Sequence, residues 1–205
     1  MRSYKLDELH SYIEELKVKK KELIDRNGKF LGIERYNCEL NNGHTIVREK
    51  ILKGGNDGSA AIVLPVTDEG NTLLVVQPRV FTKSGVSVEL PAGYVDSGES
   101  YDDAARRELF EETGYVPESM RLLAEFYQDQ GCSAAYNQAF LAENCKKEGI
   151  QHLDKDEFIR YFECRYDEAL ELVEQGFIND AQSQLVLERS KQYIKKTFYI
   201  NKKVN

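Results

Sequence analysis

Between Gly93 and Tyr115 the chain sets out a fixed pattern. Gly93 is followed after five residues by Glu99, and after seven more by Arg107-Glu108-Leu109; one residue on come Glu111-Glu112, and one further on Gly114-Tyr115. On a helix, Glu108, Glu111 and Glu112 are three and four residues apart and project from one side. Carboxylates crowded in this way repel one another unless a cation sits among them. Hard oxygen donors with little histidine or thiol nearby suit Mg²⁺ or Mn²⁺ rather than zinc. A divalent cation held there can neutralise charge on a substrate oxygen and make a water nucleophilic.

The helix follows from local signals. Ser100 with Asp103 three residues on resembles a capping box. Asp102 and Asp103 fall in the first turn, where the helix dipole favours negative charge. Tyr101 to Thr113 contains no proline or glycine. Gly114 stands where a helix end needs a left-handed residue. Ala105 and Leu109 form an adjoining apolar stripe, and Arg107 is placed to pair with Glu111. An arbitrary acidic helix is simply solvated; the added Gly93, Glu99 and Gly114 at set spacings favour the chemical reading.

The elements around it read as follows. Leu6, Leu9, Ile13 and Leu16, with Leu23 and Ile24, recur at helical spacing up to Asn27-Gly28. Strand-like runs at Phe30 to Leu40 and Thr45 to Leu52 flank the hairpin signal Asn41-Asn42-Gly43. After the joint Gly54-Gly55 come apolar strands at Ala60 to Val66 and Thr72 to Gln77. A short strand at Ser87 to Leu90 enters the glycine turn. Strands at Met120 to Tyr127, Tyr136 to Ala142 and Phe158 to Arg165 follow the acidic helix. Helices at Asp167 to Gln175 and Asp180 to Lys196 close the pattern. Mixed rather than alternating elements predict an α+β fold or an α/β/α sandwich on a mixed sheet. The expected division is 1–55, a helix and hairpin, and 56–205, the larger unit.

With 205 residues, 41% hydrophobic and 31% charged, the chain reads as soluble and globular. No apolar run is long enough to span a membrane, and no signal-peptide core leads the sequence. A net charge of −7 argues against nucleic acid as partner. Lys195, Lys196, Lys202 and Lys203 read as a solvated helix end. Cys38, Cys132, Cys145 and Cys164 are too scattered for a zinc or redox pair and read as reduced thiols of a cytoplasmic protein. His10, His44 and His152 are equally scattered.

The pattern from Gly93 to Tyr115 resembles the signature of the Nudix hydrolases, which cleave a nucleoside diphosphate linked to another group. Within that family the chain is most similar to the ADP-ribose pyrophosphatase group. That similarity rests on Gln77-Pro78-Arg79, Glu89 to Gly93, Phe140-Leu141-Ala142, Asp156-Glu157-Phe158 and Gly176 to Ala181. It departs from the group in the run Tyr127-Gln128-Asp129-Gln130-Gly131, where Gln130 stands in place of a proline. The resemblance implies a mixed sheet between helices and a Mg²⁺ cofactor, with Mn²⁺ able to substitute. It assigns Glu108, Glu112 and the backbone carbonyl of Ala92 to the metal, and Glu99 and Arg107 to holding loop and helix. Gly93 is expected to make the tight turn beside the metal. Glu111 is a further ligand or a partner for Arg107. Arg79 either grips the substrate diphosphate or makes a surface ion pair. Glu89 reads a ribose or base edge, or pairs with a cation. The general base is expected at Glu157, with Asp154 and Asp156 in the same loop and Glu111 as alternatives.

The implied activity is hydrolysis of an ADP-ribose-like nucleoside diphosphate sugar to a nucleoside monophosphate and a sugar phosphate. The alternatives are GDP-mannose or another sugar nucleotide, and a non-catalytic ligand sensor. The sensor reading requires damaged carboxylates, and here all are present. A leading β-segment that pairs subunits in this group implies a homodimer through the hairpin.

Overall fold

The computed structural model describes residues 3–22 and 28–201. Its core is the run Ala60 to Thr67, apolar on both faces because both faces are covered. This strand, β3, sits mid-sheet with β1 (Leu31–Glu39), β2 (Thr45–Lys53), β4 (Asn71–Pro78), β5 (Val86–Glu89), β6 (Ala92–Tyr94), β7 (Tyr115–Val116), β8 (Ser119–Tyr127), β9 (Tyr136–Lys147) and β10 (Arg160–Arg165) as the other strands. Strands β1 and β2 form their own two-stranded sheet, and the other eight form the main one, along the path β10-β4-β3-β9-β7. β3 and β9 run parallel while the remaining pairs are antiparallel, so the sheet is mixed.

Alternation along β3 builds two cores. Ala61 and Val63 face the acidic helix α2 (Tyr101–Thr113), where Ala104, Ala105 and Leu109 are fully buried. Ile62 and Leu64 face the opposite layer, made of α1 (Ser3–Leu16), α3 (Tyr166–Glu174) and α4 (Ala181–Asn201). The result is the α/β/α sandwich on a mixed sheet, with an N-terminal helix and hairpin, that the sequence predicts.

Several elements differ from expectation. α1 stops at Leu16 instead of running on to Asn27. Lys17, Lys19, Lys20 and Lys21 follow in close succession with the β-branched Val18 among them, and their repulsion and stiffness disfavour another turn. Leu23, Ile24 and Asn27 lie outside the described residues, as do Lys202, Lys203 and the side chains of Lys195 and Lys196. β6 and β7 are three and two residues long, too short to show a period. β9 runs on to Lys147 because β7 pairs with its last turn of sequence. The hairpin turn forms at Asn41-Asn42-Gly43, with Gly43 at φ 83° and the Leu40 N–H donating to the His44 carbonyl at 2.8 Å. Among the described residues no helix is long and apolar enough to cross a membrane.

α1 is built into the core rather than appended to it. Leu9 is 0% exposed, and Glu15 accepts from Arg160 at 2.6 Å. Leu9→Ala is therefore expected to cost about 2–5 kcal/mol of stability, measured by urea unfolding. A cost below about 0.5 kcal/mol, the range of surface changes, would show that the helix is not part of the fold's core.

Candidate active site

The acidic helix is fixed at both ends. Ser100 accepts from the Asp103 N–H at 3.1 Å, and Gly114, at φ 73°, donates its N–H to the Phe110 carbonyl at 2.7 Å. A Cβ on Gly114 would also run into the Gly149 carbonyl. Every one of the last four carbonyls of α2 has a donor: Gly114 N–H for Phe110, His152 N–H for Glu111, the Gln151 amide for Glu112 and Lys147 Nζ for Thr113. The helix is therefore a rigid mount for its acids.

Arg107 is the hub of the signature. Its guanidinium forks onto Glu99 at 2.9 and 3.0 Å and reaches Glu108 at 2.7 Å, Glu111 at 3.1 Å and the Tyr94 carbonyl at 3.0 Å. Glu99 also accepts from the Asp96 N–H at 3.0 Å, which pins the loop ahead of the helix. The Arg107 bond, largest among the causes, draws the Glu99 carboxyl below its usual range. Glu111 stands as the partner of Arg107.

Gly93 does a different job from the one expected. It lies within β6, paired with Ala61, and has no left-handed φ. Its missing side chain is what matters, because a Cβ there would overlap the Glu108 carboxylate. Glycine thus lets the helix acid lie against the strand, rather than making a turn.

The three helix acids are unequally exposed. Glu112 is 3% exposed and accepts from the Ala92 N–H at 3.2 Å. Burial, and then the neighbouring Glu108 charge, push its carboxyl well above the ordinary range. Burial also raises Glu108, against the opposing pull of Arg107. Glu157 adds to the upward push on both.

These residues line one cleft of about 680 Å³. The structure brings Arg79, Glu89, Ala92, Gly93, Arg107, Glu108, Glu111, Glu112, Asp154 and Glu157 to its walls. Asp156 is not among the lining residues. Glu157 lies in an exposed loop, its Oε2 accepting from the Asp154 N–H at 3.1 Å. Glu89 is buried and forks with Arg79 at 2.8 and 2.7 Å, while Gln77 donates to it at 3.3 Å. Of the two expectations for Glu89, pairing with a cation is the one the geometry displays. That pair raises the Arg79 guanidinium further above its usual range and aims it at the cleft.

Sequence reasoning missed Lys53, Tyr94 and Gln128 as wall residues. Lys53 ends β2 and donates to Gln128 Oε1 at 3.3 Å, 5.9 Å from the Tyr94 ring centre. No local pattern marks Lys53; only the packing of the hairpin against the 128–132 loop brings it in. The Ile51 N–H donates to the Cys132 carbonyl at 2.8 Å to make that packing. The loop that carries Gln130 takes its shape from Asp129, which accepts from the Gly131 N–H at 3.0 Å and the Cys132 thiol at 3.0 Å. Asp180, in the stretch already noted, accepts from Ser183 N–H and Oγ at 2.8 Å and starts α4 beside the cleft.

A divalent cation suits this donor set. Eight carboxylates and three cationic side chains line the cleft, and Arg79 and Arg107 are already engaged by glutamates. Among the described residues no three His, Cys, Asp or Glu side chains form a ready-made metal cage. Glu108 is turned to Arg107 and Glu112 to the Ala92 N–H. Buried, mutually repelling carboxylates with raised proton affinity are nonetheless the groups a hard cation would neutralise.

Residues 57–185 match the family model described as NUDIX domain. The chain is 34% identical, over 86% of its length and 92% of the relative's, to the ADP-ribose pyrophosphatase of Bacillus subtilis (strain 168). It is 31% identical to the GDP-mannose pyrophosphatase of Salmonella paratyphi B, over 74% of this chain and 82% of that one. Its fold superposes on a crystal structure titled ADP compounds hydrolase with a TM-score of 0.71, at 21% identity over 86% of this chain and 92% of the other.

The raised Glu112 carboxyl has a signed consequence. A carboxyl whose proton affinity rises on folding stabilises the fold at low pH, and that contribution is lost as pH rises above the ordinary glutamate range. In chelator, Glu112→Gln should therefore melt above the wild type at pH 8, by roughly 2–4 °C or more, with the gap closing towards pH 4.5. Thermal unfolding at the two pH values checks this; a pH-independent gap would contradict the assignment.

Proposed function

The chain belongs to the Nudix family and is a Nudix hydrolase, and from that premise we propose that it is a cytoplasmic, Mg²⁺-dependent pyrophosphatase of a nucleoside diphosphate sugar, ADP-ribose-like in its substrate. The observation that carries the reading is the single cleft that joins Glu108, Glu112 and Glu157 with Arg79. An anionic diphosphate would be repelled from walls so rich in carboxylate unless cations accompany it. Glu108, Glu112 and the Ala92 carbonyl are the groups we assign to holding Mg²⁺, for which Mn²⁺ can substitute. When bound, the ion supplies positive charge against the phosphoryl oxygens and acidifies water.

The chain's own residues do the rest. Arg79, held in its fork by Glu89, presents its remaining N–H face to the diphosphate. Lys53 adds a second positive group to the same cleft. Glu157 accepts the proton as a water oxygen bonds to phosphorus and the bridging P–O bond breaks, giving a nucleoside monophosphate and a sugar phosphate. A loop position lets that base close on substrate and open for product. Arg107 and Glu99 keep helix and loop in register while this happens.

The GDP-mannose reading has the support of the Salmonella relative and of Gln130 in the loop beside the cleft. The intact carboxylates weigh against a non-catalytic sensor. We also propose a homodimer through the hairpin of the 1–55 segment, whose helix α1 is packed into the core of the 56–205 hydrolase unit. Leu31, Ile33, Tyr36 and Val47 are exposed on the separate two-stranded sheet, which supports that contact.

A panel of nucleoside diphosphate sugars, assayed with Mg²⁺ and with products identified by mass, tests the substrate. An ADP-sugar split into AMP and a sugar phosphate is expected. Chelator should abolish turnover and Mg²⁺ restore it, and full activity in excess chelator would sink the metal assignment. Glu157→Gln should lower kcat by roughly 10²–10⁴-fold with little change in KM; a larger loss in Asp154→Asn would move the base there. Light scattering should return twice the chain mass, and a monomer at micromolar concentration would count against the dimer.

A further inference from the structure

The loop that carries Glu157 follows β9, touches the end of α2 where the His152 N–H donates to the Glu111 carbonyl, and enters the sheet at Arg160; one side chain crosses its neck. Gln151 Nε2 donates to the Ile159 carbonyl at 3.2 Å and to the Glu112 carbonyl at 2.6 Å. An amide nitrogen carries two hydrogens, so both bonds can be made at once. One partner is the backbone of a buried helix acid. The other is the buried residue immediately ahead of β10. The bonds farther out in the loop are internal to it. Glu157 N–H donates to the Asp154 carbonyl at 3.0 Å, and Asp154 N–H donates to the Glu157 carboxylate. They shape the tip without tying it to the helix. The helix end is independently held through Gly114, Lys147 and His152. Losing the Gln151 amide therefore leaves α2 anchored and, while the His152 N–H still holds the near end of the loop to the Glu111 carbonyl, frees its far end at Ile159.

We propose that Gln151 is a positioning residue, clamping the neck of the 152–158 loop to the end of α2 so that Glu157 faces Glu108 and Glu112. This rests on the reading of Glu157 as the base. Its effect is on orientation, where a displacement of an ångström is enough to cost rate. Substrate affinity, set by groups elsewhere in the cleft, is untouched by it.

Gln151→Met keeps the length and removes both donors. Gln151→Asn keeps an amide that is one methylene too short to span both carbonyls, and guards against a folding defect in the first variant. Each should lower kcat about tenfold at unchanged KM. Each should also raise hydrogen exchange at the Asp154 and Glu157 amides about tenfold, with the Ala105 to Leu109 amides unchanged. In a Glu157→Gln background, Gln151→Met should lower kcat by less than about twofold, because residues acting through one another are not additive. Unchanged exchange at both loop amides, or the same kcat loss in both backgrounds, would overturn the clamp while leaving the base reading intact. Wild-type kcat in Glu157→Gln alone would overturn the base reading and the clamp together.

Discussion

Like charge confined to one cleft is the constraint around which this structure is arranged. Glu108, Glu111, Glu112 and Glu157 all line the same cleft. Arg107 meets part of that charge with a single guanidinium shared among Glu99, Glu108 and Glu111. Arg79 answers Glu89 elsewhere in the same cleft. Glu112 is left with a backbone N–H as partner, and it is the most deeply buried of the set. A fold would not retain such an arrangement for stability, since an unpaired buried carboxylate opposes folding. The strain is the mark of a site shaped for something that arrives with positive charge.

The scaffold is stiff where the acids sit and exposed where the loop sits. Helix α2 is capped at both ends, packed on β3 through Ala105 and Leu109, and shut against the strand by a glycine. The 152–158 loop is largely exposed; the His152 N–H holds its start to the Glu111 carbonyl, and the bonds at its tip are internal. A fixed set of acids beside an exposed loop suits a cleft that substrate must enter and leave.

Sequence legibility tracked the range of the interactions involved. α2 was readable to the residue, because Ser100, Asp103 and Gly114 are local signals for a cap. The Arg107–Glu111 pair was readable from helical spacing. β3 and β4 were readable from unbroken apolar runs. What escaped was non-local. Lys53 and Gln128 are 75 residues apart and meet only because the hairpin lies on a loop. β6 owes its existence to pairing with β3, not to its three residues. The role of Gly93 could not be separated from a turn without seeing Glu108 against it. The end of α1 was misjudged because apolar residues beyond the lysine run continued the helical spacing, while charge repulsion ended it.

The docking of α1 bears on how the chain reaches this state. Its apolar face precedes the sheet in sequence, yet it packs against β10 and β4, and Glu15 waits for Arg160, 145 residues later. The parallel pair β3 and β9 adds a second long closure across the middle of the sheet. Closing loops of that length costs entropy before any contact repays it, so folding is expected to be slow for a domain of this size. Until β4, β5 and β10 are all in place, the stripe of Leu6, Leu9 and Ile13 lacks part of its partner surface. A nascent chain halted short of Arg160 would leave that stripe incompletely covered, and the order of synthesis, not the final stability, would set for how long.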